Sequence, residues 1–246
     1  MHVGTTEAAL VLVAALIAGA IASIAGFGIG SILTPLLAVF LGTKAAVAVV
    51  SLPNLLATAL RFSLIRQHLD RRVLLTFGVT SGIGGLAGAL LHVWLHSRAL
   101  GYILAALLLF AGLTGVTGIA SRMRFGTTTG WIAGALSGIF GGLVGNQGGI
   151  RSAALLGFDI RKEAFVATAT AIALLVDGFR MPVYAVAQWS DLRGSWEFML
   201  IASIGVIAGT LIGQPVLKRI PPPAFRTIVS LIILALGVWM LVHPGS

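Results

Sequence analysis

Three arginines lie inside long apolar segments of this sequence, where a charged side chain needs a specific reason to be present. The other lysines and arginines fall in or beside short loops, whereas Arg61, Arg151 and Arg180 lie within apolar runs. An arginine at the centre of a bilayer costs at least about 2.5 kcal/mol, so such a residue is a candidate for binding a substrate or an ion. Asp177 stands three residues before Arg180, on the same helical face, and is expected to neutralise part of its charge.

Two glycine-rich motifs interrupt the apolar sequence, at residues 26–31 (the first tip) and 145–151 (the second tip). Glycine permits a sharp chain reversal and lets a ligand approach the backbone closely. A helix that begins at such a break presents free N–H groups and the positive end of its dipole, which together bind anions. The predicted substrate-binding residues at the tips are Gly28, Gly30, Ser31, Asn146, Gln147, Gly148, Gly149 and Arg151.

The same glycines could instead serve only close helix packing, as small residues often do in membranes. We prefer that interpretation for glycines elsewhere in the apolar segments. These packing glycines are Gly84, Gly88, Gly205, Gly209 and Gly213. At the tips, the polar Asn146–Gln147 pair favours binding.

A shift of 119 residues superposes the two tips and extends to Arg61 and Arg180. With inverted repeats, Arg61 should lie toward the cytoplasmic end of its helix and Arg180 toward the outer end of its own. Both arginines are therefore predicted to interact with substrate, as charged guides in the two vestibules. The alternatives are that Arg61 extends to the interface and that Arg180 only forms a structural ion pair.

Composition places the chain among polytopic membrane proteins, because 58% of its residues are hydrophobic and only 9% are charged. The absence of cysteine excludes disulfides, thiolate metal sites and thiol catalysis. The net charge of +9 reflects loop residues that set topology, so we expect no nucleic-acid partner. Neither a metalloprotease motif nor a nucleophile elbow is present, so we predict a non-enzyme without cofactor or metal.

The segment lengths predict an all-α fold of two inverted-topology repeats, at residues 1–125 and 126–246, that form one transport domain. Each repeat would hold a glycine-broken, re-entrant helical hairpin followed by three transmembrane helices. The hairpins are predicted at residues 8–41 and 130–158, because their arms are short or borderline for crossing about 30 Å of hydrocarbon.

The loop charges support this plan, because it places ten lysines and arginines on one face and only three on the other. Single spans in place of the hairpins would divide the same charges almost evenly. By the positive-inside rule, the richer face is cytoplasmic and both termini lie outside the cytoplasm. The protein is thus expected in the cytoplasmic membrane, in contact with the lipid bilayer. The sequence does not indicate an oligomeric state.

The paired segments GAIASIAGFGIGSILTPLLAVFLGTKAAVAV and GALSGIFGGLVGNQGGIRSAALLGFDIRKEAFVAT resemble the TauE/SafE family of membrane permeases, over essentially the whole chain. The second tip departs from the family pattern, with Ala154 where a proline often stands. The resemblance implies export of sulfite or small organosulfonates, which agrees with an anion site at the tips. An anion-selective channel and a non-transporting membrane scaffold or subunit are the alternatives.

Overall fold

The computed structural model of the chain describes residues 3–25, 29–118, 127–146, 148–155, 158, 160–217 and 222–245. All regular secondary structure within these residues is helical. The helices are α1 (Thr5–Ala25), α2 (Gly30–Leu41), α3 (Thr43–Ile65), α4 (Arg71–Val73), α5 (Val79–Trp94), α6 (Ser97–Thr117), α7 (Thr127–Val144), α8 (Gly148–Leu155), α9 (Lys162–Ala187), α10 (Trp189–Gly194), α11 (Trp196–Leu217) and α12 (Pro222–Val242). A π-helical stretch, Leu74–Gly78, joins α4 to α5 without a break.

Both predicted glycine breaks are present. Helix α1 ends at Ala25 before α2 begins at Gly30, and α7 ends at Val144 before α8 begins at Gly148. Gly145, which follows α7, has a φ of +71°, a conformation that residues with a side chain rarely adopt. Helices α1 and α7 therefore end where the glycine pattern predicted a break.

Five helical stretches in the described residues are long and apolar enough to cross a membrane. They are Thr5–Ser23, Thr43–His68, Arg71–Trp94, Ser97–Thr117 and Glu163–Ala187. The first of them contains most of α1, so the length of this helix also fits a complete crossing. The all-α membrane architecture predicted from composition is confirmed.

The helices associate in pairs that join the two halves of the sequence. Helix α1 packs along α11, α7 packs along α5, and α6 packs against α12. Helices α3 and α9, which contain Pro53 and Pro182, pack against each other and also contact α11 and α5, respectively. The tips lie at the ends of α1 and α7 and are thus held within this assembly.

Glycines allow the backbones of these pairs to approach closely. A Cβ atom at Gly88 of α5 would lie 2.0 Å from the carbonyl oxygen of Ile139 in α7. A Cβ atom at Gly209 of α11 would lie 2.1 Å from the carbonyl oxygen of Leu16 in α1. The same holds for Gly84 and Gly205, so the packing role predicted for these four glycines is confirmed. The surroundings of Gly213 lie outside the described residues.

Candidate anion-binding site

The two tips contact each other in the interior of the protein. A Cβ atom at Gly30 would lie only 2.6 Å from the carbonyl oxygen of Gly145. Across this contact, Ser31 Oγ donates a hydrogen bond of 3.1 Å to Asn146 Oδ1, and both side chains are buried. Four of the residues singled out by sequence, Gly30, Ser31, Asn146 and Gly148, thus lie at or beside one junction. Gly28 and Gln147 lie outside the described residues.

Helices α2 and α8 both begin at this junction, at Gly30 and Gly148. The first N–H groups of a helix have no partner within it, so each start supplies donors and a partial positive charge. Two buried side-chain atoms, Asn146 Nδ2 and Thr34 Oγ1, have no hydrogen-bond partner among the described residues. A buried donor without a partner is costly, so the amide of Asn146 is available to a ligand.

The side chain of Arg180 packs against the second tip and is 2% exposed. Its Nε donates to Asp177 Oδ1 at 2.9 Å, which confirms the ion pair expected from their spacing. Its Nη1 donates to the carbonyl oxygen of Gly141 at 3.2 Å. A Cβ atom at Gly145 would lie 2.8 Å from the same Nη1, so the guanidinium packs against the glycine backbone of the tip.

Arg61 makes the equivalent backbone contact in the first half of the chain, without an acidic partner on its own helix. Its Nη1 donates to the carbonyl oxygen of Ala22 in α1, and the side chain is only 6% exposed. Ala22 and Gly141 are themselves 119 residues apart, as are Arg61 and Arg180. Arg61 therefore does not extend to the interface. Neither arginine faces an open vestibule in this structure, because each is folded back onto the end of a helix that leads to a tip.

Arg151 is the third buried arginine, with an exposure of 1%. Asp177 is buried as well, with an exposure of 1%. Among the described arginine and acidic side chains, the buried ones are Arg61, Arg151, Arg180 and Asp177, and we call this set the cationic centre. Buried arginines outnumber buried carboxylates three to one in this set, which favours binding of an anion.

Asn54 contacts this centre, although the sequence patterns did not predict it as a site residue. Its Nδ2 donates to Asp177 Oδ2 at 2.6 Å, which connects α3 to α9. In the sequence, Asn54 follows Pro53, and the pair indicates only a plausible hinge. The sequence signal that could have found it is an amide side chain within one apolar segment and an acidic side chain within another, since two such groups can pair inside a membrane.

Tyr184 and His92 extend the polar interior beside the second tip. The Tyr184 hydroxyl donates to the carbonyl oxygen of Gly142, and His92 Nδ1 lies 2.6 Å from the carbonyl oxygen of Leu143. The two rings pack with their centroids 4.8 Å apart. Within the described residues, no group of three histidine, cysteine or acidic side chains is placed to hold a metal ion.

The fold and the centre together define a class: an integral, multi-pass helical membrane protein with a buried cationic centre at the ends of broken helices. The family model of the sulfite exporter TauE/SafE matches residues 11–240. The chain therefore belongs to the sulfite exporter TauE/SafE family of membrane transporters, as its sequence resemblance indicated. Neither a curated protein nor a solved structure is significantly similar to it.

Proposed function

We propose that this protein is a secondary transporter that exports a small sulfur-containing anion, such as sulfite or an organosulfonate, across the cytoplasmic membrane. The observation that carries the proposal is the cationic centre, in which three arginines and one aspartate are buried and Arg180 packs against the second of two contacting tips. Positive charge of this kind is expensive in an apolar interior unless a substrate uses it. Membership in the sulfite exporter family supports the sulfur-containing class of anion.

The anion would be held at the junction of the tips. Backbone N–H groups at the starts of α2 and α8 would donate to its oxygen atoms, as they do at other helix N-termini. The Asn146 amide, which has an unused donor, would add a hydrogen bond. Arg151 would supply positive charge in the first turn of α8. Arg61 would supply positive charge at the end of α1, and Arg180 at the end of α7. Gln147 completes the proposed set by its position in the sequence.

Alternating access would come from the movement of one half of the chain against the other. The proposed repeats, residues 1–125 and 126–246, would be inverted, each with a re-entrant hairpin and both termini outside the cytoplasm. Two observations support the duplication. The pair α1–α11 becomes α7–α5 when the halves are exchanged, and the arginine–carbonyl bonds of Arg61 and Arg180 are equivalent under the 119-residue shift.

The first test is sulfite uptake by the purified protein in liposomes, in wild type and in the variant Arg151→Ala. We expect saturable uptake by wild type, and a loss of at least about tenfold in apparent affinity in the variant, since about 1.4 kcal/mol corresponds to tenfold. Counter-flow of unlabelled sulfite should accelerate uptake in a carrier but not in a channel.

The exposed Arg193→Ala serves as the matched control, because it removes an arginine outside the centre. It should transport like wild type. Thermal unfolding of each variant in detergent would verify that the fold is intact. Wild-type transport by a folded Arg151→Ala would remove Arg151 from the site. Absence of binding and uptake for sulfite, sulfonates and sulfate alike would overturn the proposed function and favour a scaffold.

A further inference from the structure

We infer that Tyr184 and His92 are specificity-determining residues of the proposed anion site. Together with Arg180, they cover the carbonyl groups at the C-terminal end of α7, so that the second tip attracts an anion rather than a cation. The inference rests on the proposed function and deepens it, because it gives these two side chains a role in selecting the charge of the substrate.

A break between two helices presents two opposite partial charges. The last four carbonyl groups of the helix that ends there have no partner within it, and they carry the negative end of the helix dipole. The helix that begins there presents its N–H groups and the positive end. In carriers with broken helices, the N-terminal ends face anionic groups, whereas the carbonyl ends coordinate Na⁺. An anion at such a break is therefore repelled by the carbonyl end unless donors cover it.

Side chains from two other helices cover three consecutive carbonyl groups at the end of α7. Arg180 Nη1 of α9 donates to the first of them at 3.2 Å, and the Tyr184 hydroxyl of the same helix donates to the second. His92 Nδ1 of α5 lies 2.6 Å from the third, and it must carry the proton there because a carbonyl oxygen only accepts. The three acceptors, in chain order, are the carbonyl oxygens of Gly141, Gly142 and Leu143.

The three donors lie side by side in the interior. Arg180 Cζ is 5.8 Å from the centroid of the Tyr184 ring, and the Tyr184 and His92 rings pack with their centroids 4.8 Å apart. All three side chains are buried. Burial in a medium of low dielectric strengthens each hydrogen bond and makes an uncovered carbonyl group costly. The cover therefore has a large effect on the potential at the tip.

The complete cover is specific to the second tip. Under the 119-residue shift, the arginine of this set has a counterpart in the other half of the chain, but the other two donors do not. Ile65 stands in place of Tyr184, and Leu211 stands in place of His92. Neither of these apolar side chains can donate a hydrogen bond. Selection against cations is therefore a property of the second tip.

Sodium dependence tests the inference in the wild-type protein. Labelled sulfite uptake into liposomes is measured with Na⁺ or with N-methyl-D-glucamine as the only cation, at equal pH and ionic strength. We expect the same KM for sulfite in both media, because the carbonyl end that would coordinate Na⁺ is already covered. A saturable dependence of sulfite uptake on Na⁺ would overturn the inference.

Tyr184→Phe removes one donor and keeps the aromatic ring. We expect the KM for sulfite to rise by about threefold or more, since an uncovered carbonyl group then faces the anion. Tyr102→Phe is the matched control, because Tyr102 is the other tyrosine of the chain and is 49% exposed. Its KM should equal that of wild type.

His92→Leu and His92→Asn distinguish a donor from a packing residue. Leucine approximates the volume of histidine but cannot donate, whereas asparagine is smaller and places an amide N–H near the position of Nδ1. We expect the KM for sulfite to rise by about threefold in His92→Leu and to stay near the wild-type value in His92→Asn. A role in packing alone predicts the opposite order, and that result would overturn the role of His92.

The outcomes separate this inference from the proposed function. If the wild-type protein neither binds nor takes up labelled sulfite, the proposed function itself fails. If wild type transports sulfite and folded Tyr184→Phe and His92→Leu keep its KM, the inference is wrong, while transport of the anion stands. Thermal unfolding in detergent verifies the fold of each variant, and the sodium measurement requires no variant to fold.

Discussion

Asp177 organises the cationic centre through two separate hydrogen bonds. One carboxylate oxygen accepts from Arg180 on the same helix, and the other accepts from Asn54 on α3. The first bond fixes the guanidinium beneath the second tip, where it also reaches the carbonyl of Gly141. A single carboxylate therefore both reduces the charge of the centre and sets the position of one of its cations.

Removing this carboxylate charge should destabilise the protein strongly. We expect Asp177→Asn to lower the free energy of unfolding by about 3–5 kcal/mol, because it leaves the Arg180 charge buried without its partner. The double variant Asp177→Asn/Arg180→Gln should recover part of that loss, because neither group is then charged. Thermal unfolding in detergent micelles measures both effects.

The control for this comparison is Asp191→Asn, since Asp191 is exposed. Its unfolding temperature should match that of wild type. A stable Asp177→Asn, or a double variant that is no more stable than the single one, would show that the ion pair contributes little.

Sequence spacing could predict only part of this centre. Arg180 and Asp177 are three residues apart on one helix, so their pairing follows from local geometry. The 119-residue shift also predicted that Ser31 and Asn146 belong to equivalent tips. The bond between Asn54 and Asp177 and the burial of Arg61 depend instead on how different helices pack. Nothing in the spacing along one helix contains that information.

At the level of helices, close backbone contact explains the glycine content better than flexibility does. Helices α5 and α7 approach along a row in which Gly138 and Gly142 meet the backbone of Ser81 and Gly85. Without a hydrophobic effect between helices in lipid, association depends on this kind of packing. The second tip is positioned by it, because α7 ends where the tip begins.

Gly142→Ala tests this dependence. Its Cβ atom would lie 1.9 Å from the carbonyl oxygen of Gly85, so α5 and α7 must separate. We expect a loss of stability of about 1–3 kcal/mol, typical of overpacking, measured as a lower unfolding temperature.

Gly178→Ala is the matched control, since a Cβ atom there meets nothing within 4 Å. It lies in a helix as well, and alanine is the better helix former, so stability should be unchanged or slightly higher. Equal stability of the two variants would mean that the α5–α7 contact tolerates an added methyl group.

For the whole molecule, the distribution of loop charges predicts how the protein lies in the membrane. Residues expected on the cytoplasmic face include Arg66 and Arg71, whereas Arg98 and Arg193 are expected outside, and all four side chains are exposed. The segment pattern predicted every major helix of the described residues, because apolar length is a local property. The short helix α10 and the π-helical stretch were not predicted, since neither changes the hydrophobic pattern.

The lack of native cysteine makes a labelling test direct. We expect Arg98→Cys and Arg193→Cys to react with a membrane-impermeant maleimide in intact cells. Arg66→Cys and Arg71→Cys should react only after permeabilisation. Labelling of all four from one side would rule out the proposed topology, and transport activity of each variant would verify its fold.

The bond between Asn54 and Asp177 has no counterpart in the other half of the chain. Under the 119-residue shift, Thr58 stands in place of Asp177 and Ala173 in place of Asn54. Two identical inverted halves would give a carrier whose inward-open and outward-open forms have equal free energy. Under the proposed mechanism, this unmatched bond contributes to a difference in free energy between the inward-open and outward-open forms. Without substrate, the carrier would therefore favour one resting form, and this carboxylate would contribute to the choice of the membrane face to which its site opens.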